Sequence, residues 1–122
     1  MTGFVVFAHG SRRQAANDAV REAAARLSES LPAACVVETA FLELGQPDLP
    51  GAVDSLARKG AARVVVIPYF LTAGRHVDAD LPRIVDEIAR RRPDLAIEIT
   101  PPLDGHPALL DILRHRATEA LP

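Results

Sequence analysis

Residues 64–70 read VVVIPYF, a continuous apolar run that is rich in β-branched side chains. Such runs are typical of strands that are covered by helices on both faces, because neither face is left to water. Residues 4–8, FVVFA, have the same character. Since strands of this kind occur mainly in parallel sheets, the two runs predict the centre of a parallel α/β sheet.

Two further runs, residues 36–41 (VVETAF) and 95–99 (LAIEI), contain more polar side chains and are predicted to be edge strands. Helical patterns separate and follow the four runs, and strict alternation of this kind indicates parallel strands with right-handed crossovers. We therefore predict a flavodoxin-like open parallel four-stranded sheet, with order 2-1-3-4 and helices on both faces. Without a linker or an internal repeat, residues 1–122 are expected to form a single domain.

The helix ends are predicted from capping residues. The first helix is expected over about residues 11–30, with Ser11 and Gln14 as a capping box. The second carries a proline in its first turn and ends at Gly60. For the third, Asp80 is the candidate N-cap with Pro82 in the first turn, and the fourth begins near residue 107.

The composition limits the possible partners and locations. The formal net charge is −2, so the chain lacks the basic character of a nucleic-acid-binding protein. No apolar run reaches membrane-spanning length and no leader is recognised, so neither nucleic acid nor membrane is an expected partner and the expected location is the cytoplasm. The single cysteine, Cys35, lies in an apolar run and is predicted to be a small buried side chain.

Polar side chains follow the strands at the edge where ligands bind in open α/β sheets, outside the carboxyl ends at the switch point of the strand order. His9 follows the first predicted strand, Glu43 the second, and His76 the third. His106 follows the fourth but directly precedes a proline at a helix start, where a capping role is sufficient. Two imidazoles and a carboxylate suit a divalent metal, and they suit general-base chemistry equally well.

Other sites with recognisable motifs are absent from the sequence. Neither the dinucleotide-binding fingerprint nor the P-loop occurs, and one cysteine cannot form a cysteine-rich zinc site.

Three segments carry a family resemblance, each at the end of a predicted strand. They are residues 8–12 (AHGSR), residues 40–43 (AFLE), and residues 68–71 (PYFL) followed by 74–76 (GRH) and 80–82 (DLP). In this order they resemble the class II tetrapyrrole chelatases, specifically the small sirohydrochlorin cobalt/iron/nickel chelatases. The resemblance covers essentially the whole chain.

The resemblance implies an enzyme of the lyase class that inserts Co²⁺, Fe²⁺ or Ni²⁺ into sirohydrochlorin and releases two protons, in cobalamin or siroheme biosynthesis. It implies that His9 and His76 are the catalytic pair, as metal ligands, proton acceptors or both, with Glu43 as a third ligand or proton acceptor. No cofactor beyond the substrate metal is expected. Because sirohydrochlorin is rich in carboxylates, we expect it to be bound by Ser11, Arg12, Arg13 and Arg75.

Many bacterial members of this family are about twice as long and carry two such domains. A chain with one domain needs a partner, or an open cleft, to cover a flat macrocycle, so a homodimer is expected.

Two other functions stay open. A non-catalytic carrier of metal or tetrapyrrole would use the same two histidines, and only turnover separates it from an enzyme. Histidine phosphatases also place a His-Gly pair after the first strand of an α/β sheet, but they have arginine before the histidine, where this chain has Ala8. Of the arginines that a phosphate requires, only Arg75 follows the third strand, so we rank this function lower.

Overall fold

The computed structural model of the protein describes residues 1–71 and 74–122, except for the side chains of residues 75–77. Strands and helices alternate along the described chain: β1 (Thr2–Ala8), α1 (Gln14–Ser30), β2 (Val36–Phe41), α2 (Leu49–Arg58), β3 (Arg63–Pro68), α3 (Arg75–Arg91), β4 (Ala96–Ile99) and α4 (Pro107–Ala120). All strand pairs are parallel and the order is β2-β1-β3-β4. The predicted fold class and strand order are confirmed.

The main hydrophobic core lies between the sheet and helices α2 and α3. Val5 and Phe7 of β1 and Val66 of β3 are almost fully buried there, together with Leu56 of α2 and Val85 of α3. Helix α1 packs on β2 and β1, over the opposite face, where Val6 and Ala8 point. Strand β1 therefore has helices on both faces, as its continuous apolar sequence predicted. On the α1 side of β3, Val65 is buried but Ile67 is only half-buried.

The predicted start of the first helix is wrong by three residues. Helix α1 begins at Gln14 with Arg13 as its N-cap, and no side chain caps it. Ser11 does not form a capping box, because its hydroxyl oxygen accepts a hydrogen bond from the Arg13 N–H at 3.0 Å. The Gln14 side chain donates instead to Asp18, one turn further along the helix. Residues 10–13 therefore form a turn before the helix, and Arg12 and Arg13 precede its first turn.

The third helix also begins earlier than predicted. Gly74 is the N-cap of α3, and Pro82 lies inside the helix instead of in its first turn. A proline inside a helix leaves one backbone hydrogen bond unmade but does not end the helix when packing holds both sides. Here Leu81 and Val85 are buried on either side of it. Asp80 is consequently not a cap, and His76 lies in the first turn of α3 instead of in a loop.

The other helix ends agree with the sequence. Gly60 follows the C-cap of α2 with a φ of 101°, in the left-handed region that glycine adopts without strain. His106 is the N-cap of α4, and its Nδ1 accepts a hydrogen bond from the Ala108 N–H at 3.0 Å. This contact confirms the capping role.

Helix α4 buries none of its residues. Its apolar side chains Leu110 and Leu113, and Leu121 at its C-cap, are 59–70% exposed. Within the described chain, no other helix or strand packs extensively on it. Helix α4 therefore presents an uncovered apolar stripe.

Cys35 is half-buried, not fully buried as predicted, because it lies in the turn that leads into edge strand β2. No helix in the described residues is long and apolar enough to cross a bilayer.

Candidate functional site

The loops that follow β1 and β2 lie side by side. Beyond the strand ends, the Leu42 N–H donates to the Ala8 carbonyl at 2.9 Å and the Glu43 N–H donates to the His9 carbonyl at 3.0 Å. These two backbone hydrogen bonds join the loops directly after the paired strands. The bond from Glu43 lies outside the register of the strands, in which Ala8 is opposite Phe41, and it holds Glu43 beside His9.

The side chains of His9 and Glu43 face each other. His9 Nε2 lies 3.7 Å from Glu43 Oε1, and the two side chains are 50% and 57% exposed. His9 Nδ1 lies 3.3 Å from the Gly10 carbonyl oxygen. A carbonyl can only accept a hydrogen bond, so this contact favours the tautomer with the proton on Nδ1. The Nε2 lone pair is then directed to the carboxylate side and is available to a metal or a proton.

A cavity of about 450 Å³ opens at this pair and is lined by His9, Leu42, Glu43 and Asp80. Asp80 reaches the cavity from α3, and its Oδ1 lies 3.6 Å from Nη2 of Arg83 on the same helix. Asp80 was not predicted as a site residue, because it was interpreted as a helix cap. Once α3 is known to begin at Arg75, the same residue belongs to the first turns of the helix, where it can line the cavity.

The described side chains offer part of a metal site. No group of three His, Cys, Asp or Glu side chains among them is placed to hold an ion, but His9 and Glu43 supply one nitrogen and one oxygen. Two donors that each lie about 2.1 Å from a divalent ion at a tetrahedral angle are about 3.4 Å apart. The observed separation of 3.7 Å therefore needs only a small adjustment to let both bind one ion.

The predicted second histidine cannot be placed at this pair. His76 and Arg75 occupy the first turn of α3, which follows β3 at the same edge of the sheet. Their side chains lie outside the described part of the structure, so their predicted roles stay predictions.

Three of the predicted substrate-binding residues, Ser11, Arg12 and Arg13, follow His9 closely along the chain. Arg12 and Arg13 are exposed, and neither forms an ion pair with a described residue. The Ser11 hydroxyl accepts from the Arg13 N–H and keeps its own proton to donate. The Ser11 N–H, by contrast, is already bound by Asn17 Oδ1 at 2.9 Å and is not available to an anion.

Large apolar side chains are exposed at the same edge of the sheet. Leu44 follows β2, and Tyr69 and Leu71 follow β3, with exposed fractions of 51%, 41% and 70%. They were not predicted as site residues. Tyr69 was interpreted as part of the third strand, and Leu44 and Leu71 as loop residues without a role. Exposed apolar groups beside polar ones are typical of a site for a partly apolar ligand.

Three comparisons relate this chain to known proteins. The model of the CbiX protein family matches residues 3–120. The sirohydrochlorin ferrochelatase, chloroplastic, of Arabidopsis thaliana is 34% identical over 119 residues, which cover 98% of this chain and 52% of that protein. The sirohydrochlorin cobaltochelatase of Sulfolobus acidocaldarius is 30% identical over 121 residues, which cover 99% of this chain and 94% of that protein.

A solved structure shares the fold. The sirohydrochlorin chelatase SirB from Bacillus subtilis subspecies spizizenii, in complex with cobalt, superimposes with a TM-score of 0.88 at 24% identity, covering 98% of this chain and 50% of that one. The present chain thus spans about half the length of SirB and of the plant protein. The match to the CbiX family model extends over nearly the whole chain. This chain therefore belongs to the CbiX family, the family of the sirohydrochlorin chelatases.

Proposed function

We propose that this chain is a chelatase that inserts Co²⁺, Fe²⁺ or Ni²⁺ into sirohydrochlorin. The observation that carries the proposal is the His9–Glu43 pair at the open cavity, with Nε2 and Oε1 3.7 Å apart. A nitrogen donor next to a carboxylate can hold a borderline divalent ion and can accept protons, and insertion requires both.

The reaction exchanges one metal ion for two pyrrole protons. In the proposed mechanism, His9 Nε2 and Glu43 bind the incoming ion and replace part of its water shell. As the pyrrole nitrogens take the ion, the two protons that they lose pass to the freed imidazole and carboxylate, and then to water. From the family resemblance, His76 shares the role of His9. No step of this scheme uses a nucleotide or another cofactor.

Sirohydrochlorin is proposed to lie across the carboxyl ends of the strands. Its carboxylates would contact the guanidinium groups of Arg12, Arg13 and Arg75 and the Ser11 hydroxyl, since guanidinium matches carboxylate geometry. Exposed Tyr69 and Leu71 would cover part of the apolar face of the macrocycle.

The cytoplasm is the proposed location. A chain with a single cysteine, Cys35, does not need an oxidising compartment to form a disulfide within the chain.

Anaerobic absorbance spectroscopy tests the proposed activity. We expect the protein, mixed with sirohydrochlorin and with Co²⁺, Ni²⁺ or Fe²⁺ in separate experiments, to change the visible bands of many equivalents of macrocycle faster than a protein-free control. Binding that stops at one equivalent would indicate a carrier, which is the second candidate because it uses the same pair. If the protein shows no binding of sirohydrochlorin and no turnover, the tetrapyrrole proposal is rejected. Phosphatase substrates would then be screened.

We also propose that the chain has one chelatase domain and acts as a homodimer in which α4 of each copy packs on the other. Leu110, Leu113 and Leu121 recur on one side of α4 and are exposed. On the sheet face that α1 covers, Phe4 and Ile67 remain only half-buried. Two copies would together match the length of SirB, of which one copy spans 50%. We therefore propose that a second copy of this chain covers these apolar side chains, in a symmetric interface.

Light scattering coupled to size-exclusion chromatography tests the dimer. The wild type is expected at twice the chain mass of 13.1 kDa, and Leu113→Glu is expected at the mass of one chain. A charge at the centre of an apolar interface is left without a partner, whereas Thr118→Glu, on the polar side of the same helix, should stay dimeric. A monomeric wild type, or a dimer that survives Leu113→Glu, would overturn this interface.

A further inference from the structure

Asn17 is a buried polar side chain at the first turns of α1. It is 3% exposed and is the only asparagine in the chain. Its Oδ1 accepts from the Ser11 N–H at 2.9 Å. Its Nδ2 donates to the Ser11 carbonyl at 3.0 Å and to the Leu44 carbonyl at 2.9 Å. One side chain thus binds the loop after β1 and the loop after β2.

The local structure directs Asn17 to these loops. Side chains of a helix lean toward its N-terminus, so a residue one turn into α1 reaches back to the turn before the helix. Gly45 lets the second loop approach closely, because a Cβ at that position would lie 2.8 Å from the Phe41 ring and 3.2 Å from Asn17 Nδ2. Leu44 has a φ of 57° in the same loop, where a side chain is tolerated only with support.

The two loops that Asn17 joins carry the two described donors of the site. His9 is two residues before Ser11, and Glu43 is next to Leu44. We propose that Asn17 is a positioning residue that fixes the separation of His9 from Glu43 for metal transfer. This inference rests on the proposed function, because the separation matters only if both side chains act on one ion or on its protons.

Asn17 does not act on the substrate directly. It is buried and both protons of its amide are already donated to carbonyl groups. Asn17→Asp has nearly the same shape and keeps the acceptor for the Ser11 N–H, but it places a carboxylate oxygen against those two carbonyls. The variant therefore removes the link between the loops while it changes the volume of the core very little.

Selective labelling reports on the link itself. With ¹⁵N-asparagine, the protein should show a single pair of side-chain amide signals, which belongs to Asn17. We expect these protons to exchange with solvent at least about tenfold more slowly than those of an exposed amide, because both are hydrogen-bonded. Exchange at the rate of an exposed amide would show that the link is absent in solution and would overturn the inference.

Kinetics and metal binding test the positioning role. For Asn17→Asp and Asn17→Ala we expect Co²⁺ affinity and the kcat of insertion each to fall about 10- to 100-fold, as for residues that orient metal ligands. The KM for sirohydrochlorin should rise by a smaller factor than kcat falls, because Ser11 is the one residue proposed to bind its carboxylates that is hydrogen-bonded to Asn17 in the described structure. Ala24→Gly is the matched control, since it loosens α1 at a buried position away from both loops.

The outcomes are distinct. If both Asn17 variants keep wild-type kcat and Co²⁺ affinity while losing as much thermal stability as Ala24→Gly, Asn17 is only structural and the inference is rejected. If Ala24→Gly loses the same activity, the effect comes from helix stability and the inference is also rejected. If the wild type itself neither binds Co²⁺ nor turns over, it is the proposed function that fails.

Discussion

Replacement of His9 by alanine is expected to reduce the rate of metal insertion by at least about 100-fold. A loss of this size is usual when a side chain that transfers protons in the transition state is removed. The variant removes the Nε2 lone pair that lies 3.7 Å from Glu43 Oε1. Of the two side chains in the His9–Glu43 pair, Glu43 alone then remains at the cavity. Because the His9 side chain is 50% exposed, its loss should leave the thermal unfolding midpoint nearly unchanged.

Initial rates from the macrocycle absorbance measure this effect, and circular dichroism checks the fold. His115→Ala is the matched control, because His115 is an exposed imidazole on the polar side of α4, where its Nδ1 lies 3.1 Å from Glu119 Oε1. From the family resemblance, His76→Ala should resemble His9→Ala. If His9→Ala keeps a near-normal rate, His9 is not part of the catalytic pair.

Gly10→Ala is expected to abolish insertion and to destabilise the fold by several kcal/mol, as backbone clashes at strained positions do. A Cβ at Gly10 would lie 1.7 Å from the Glu43 carbonyl oxygen, and the φ of 95° is unfavourable for any side chain. Since the clash is with backbone, no rotamer change relieves it. The loop of His9 must therefore move away from the loop of Glu43.

Gly60→Ala isolates the cost of the conformation from the cost of the clash. Gly60 has a φ of 101°, close to that of Gly10, but a Cβ added there would meet nothing within 4 Å. Its substitution should cost only about 1–2 kcal/mol, the penalty of the left-handed region, and leave the insertion rate unchanged. The free energy of unfolding in urea and the rate of metal insertion, measured for both variants, separate the cost of the backbone conformation from the cost of the clash. Equal effects of the two substitutions would refute a role for the close approach at Gly10.

Much of the fold follows from local pattern. The continuous apolar residues 64–70 indicated a central parallel strand, and β3 is one. Because ligand sites of parallel sheets lie at the carboxyl ends of strands, the same reasoning identified His9 and Glu43, and the structure places them side by side. These features depend on the period and order of residues, which a single sequence contains.

Other features depend on contacts between distant residues and could not be predicted. Asn17 has the appearance of a surface residue of a helix, and its burial is explained by the approach of the two loops that carry Ser11 and Leu44. Similarly, Ser11 was a reasonable helix cap until its hydroxyl was found bound to Arg13 in a separate turn. The start of α3 was predicted at Asp80 because capping rules favour aspartate, whereas packing around Pro82 extends the helix back to Arg75, with Gly74 as its cap.

The imidazole of His9 is held by a long contact to the carbonyl of its own neighbour, with a distance of 3.3 Å, and not by a carboxylate. A second-sphere carboxylate would make the imidazole a stronger donor and slow the loss of a bound ion. A half-exposed imidazole without that support is expected to give rapid exchange of the ion with solvent. Fast exchange would suit the proposed chelatase, because such a protein must surrender its metal in every cycle.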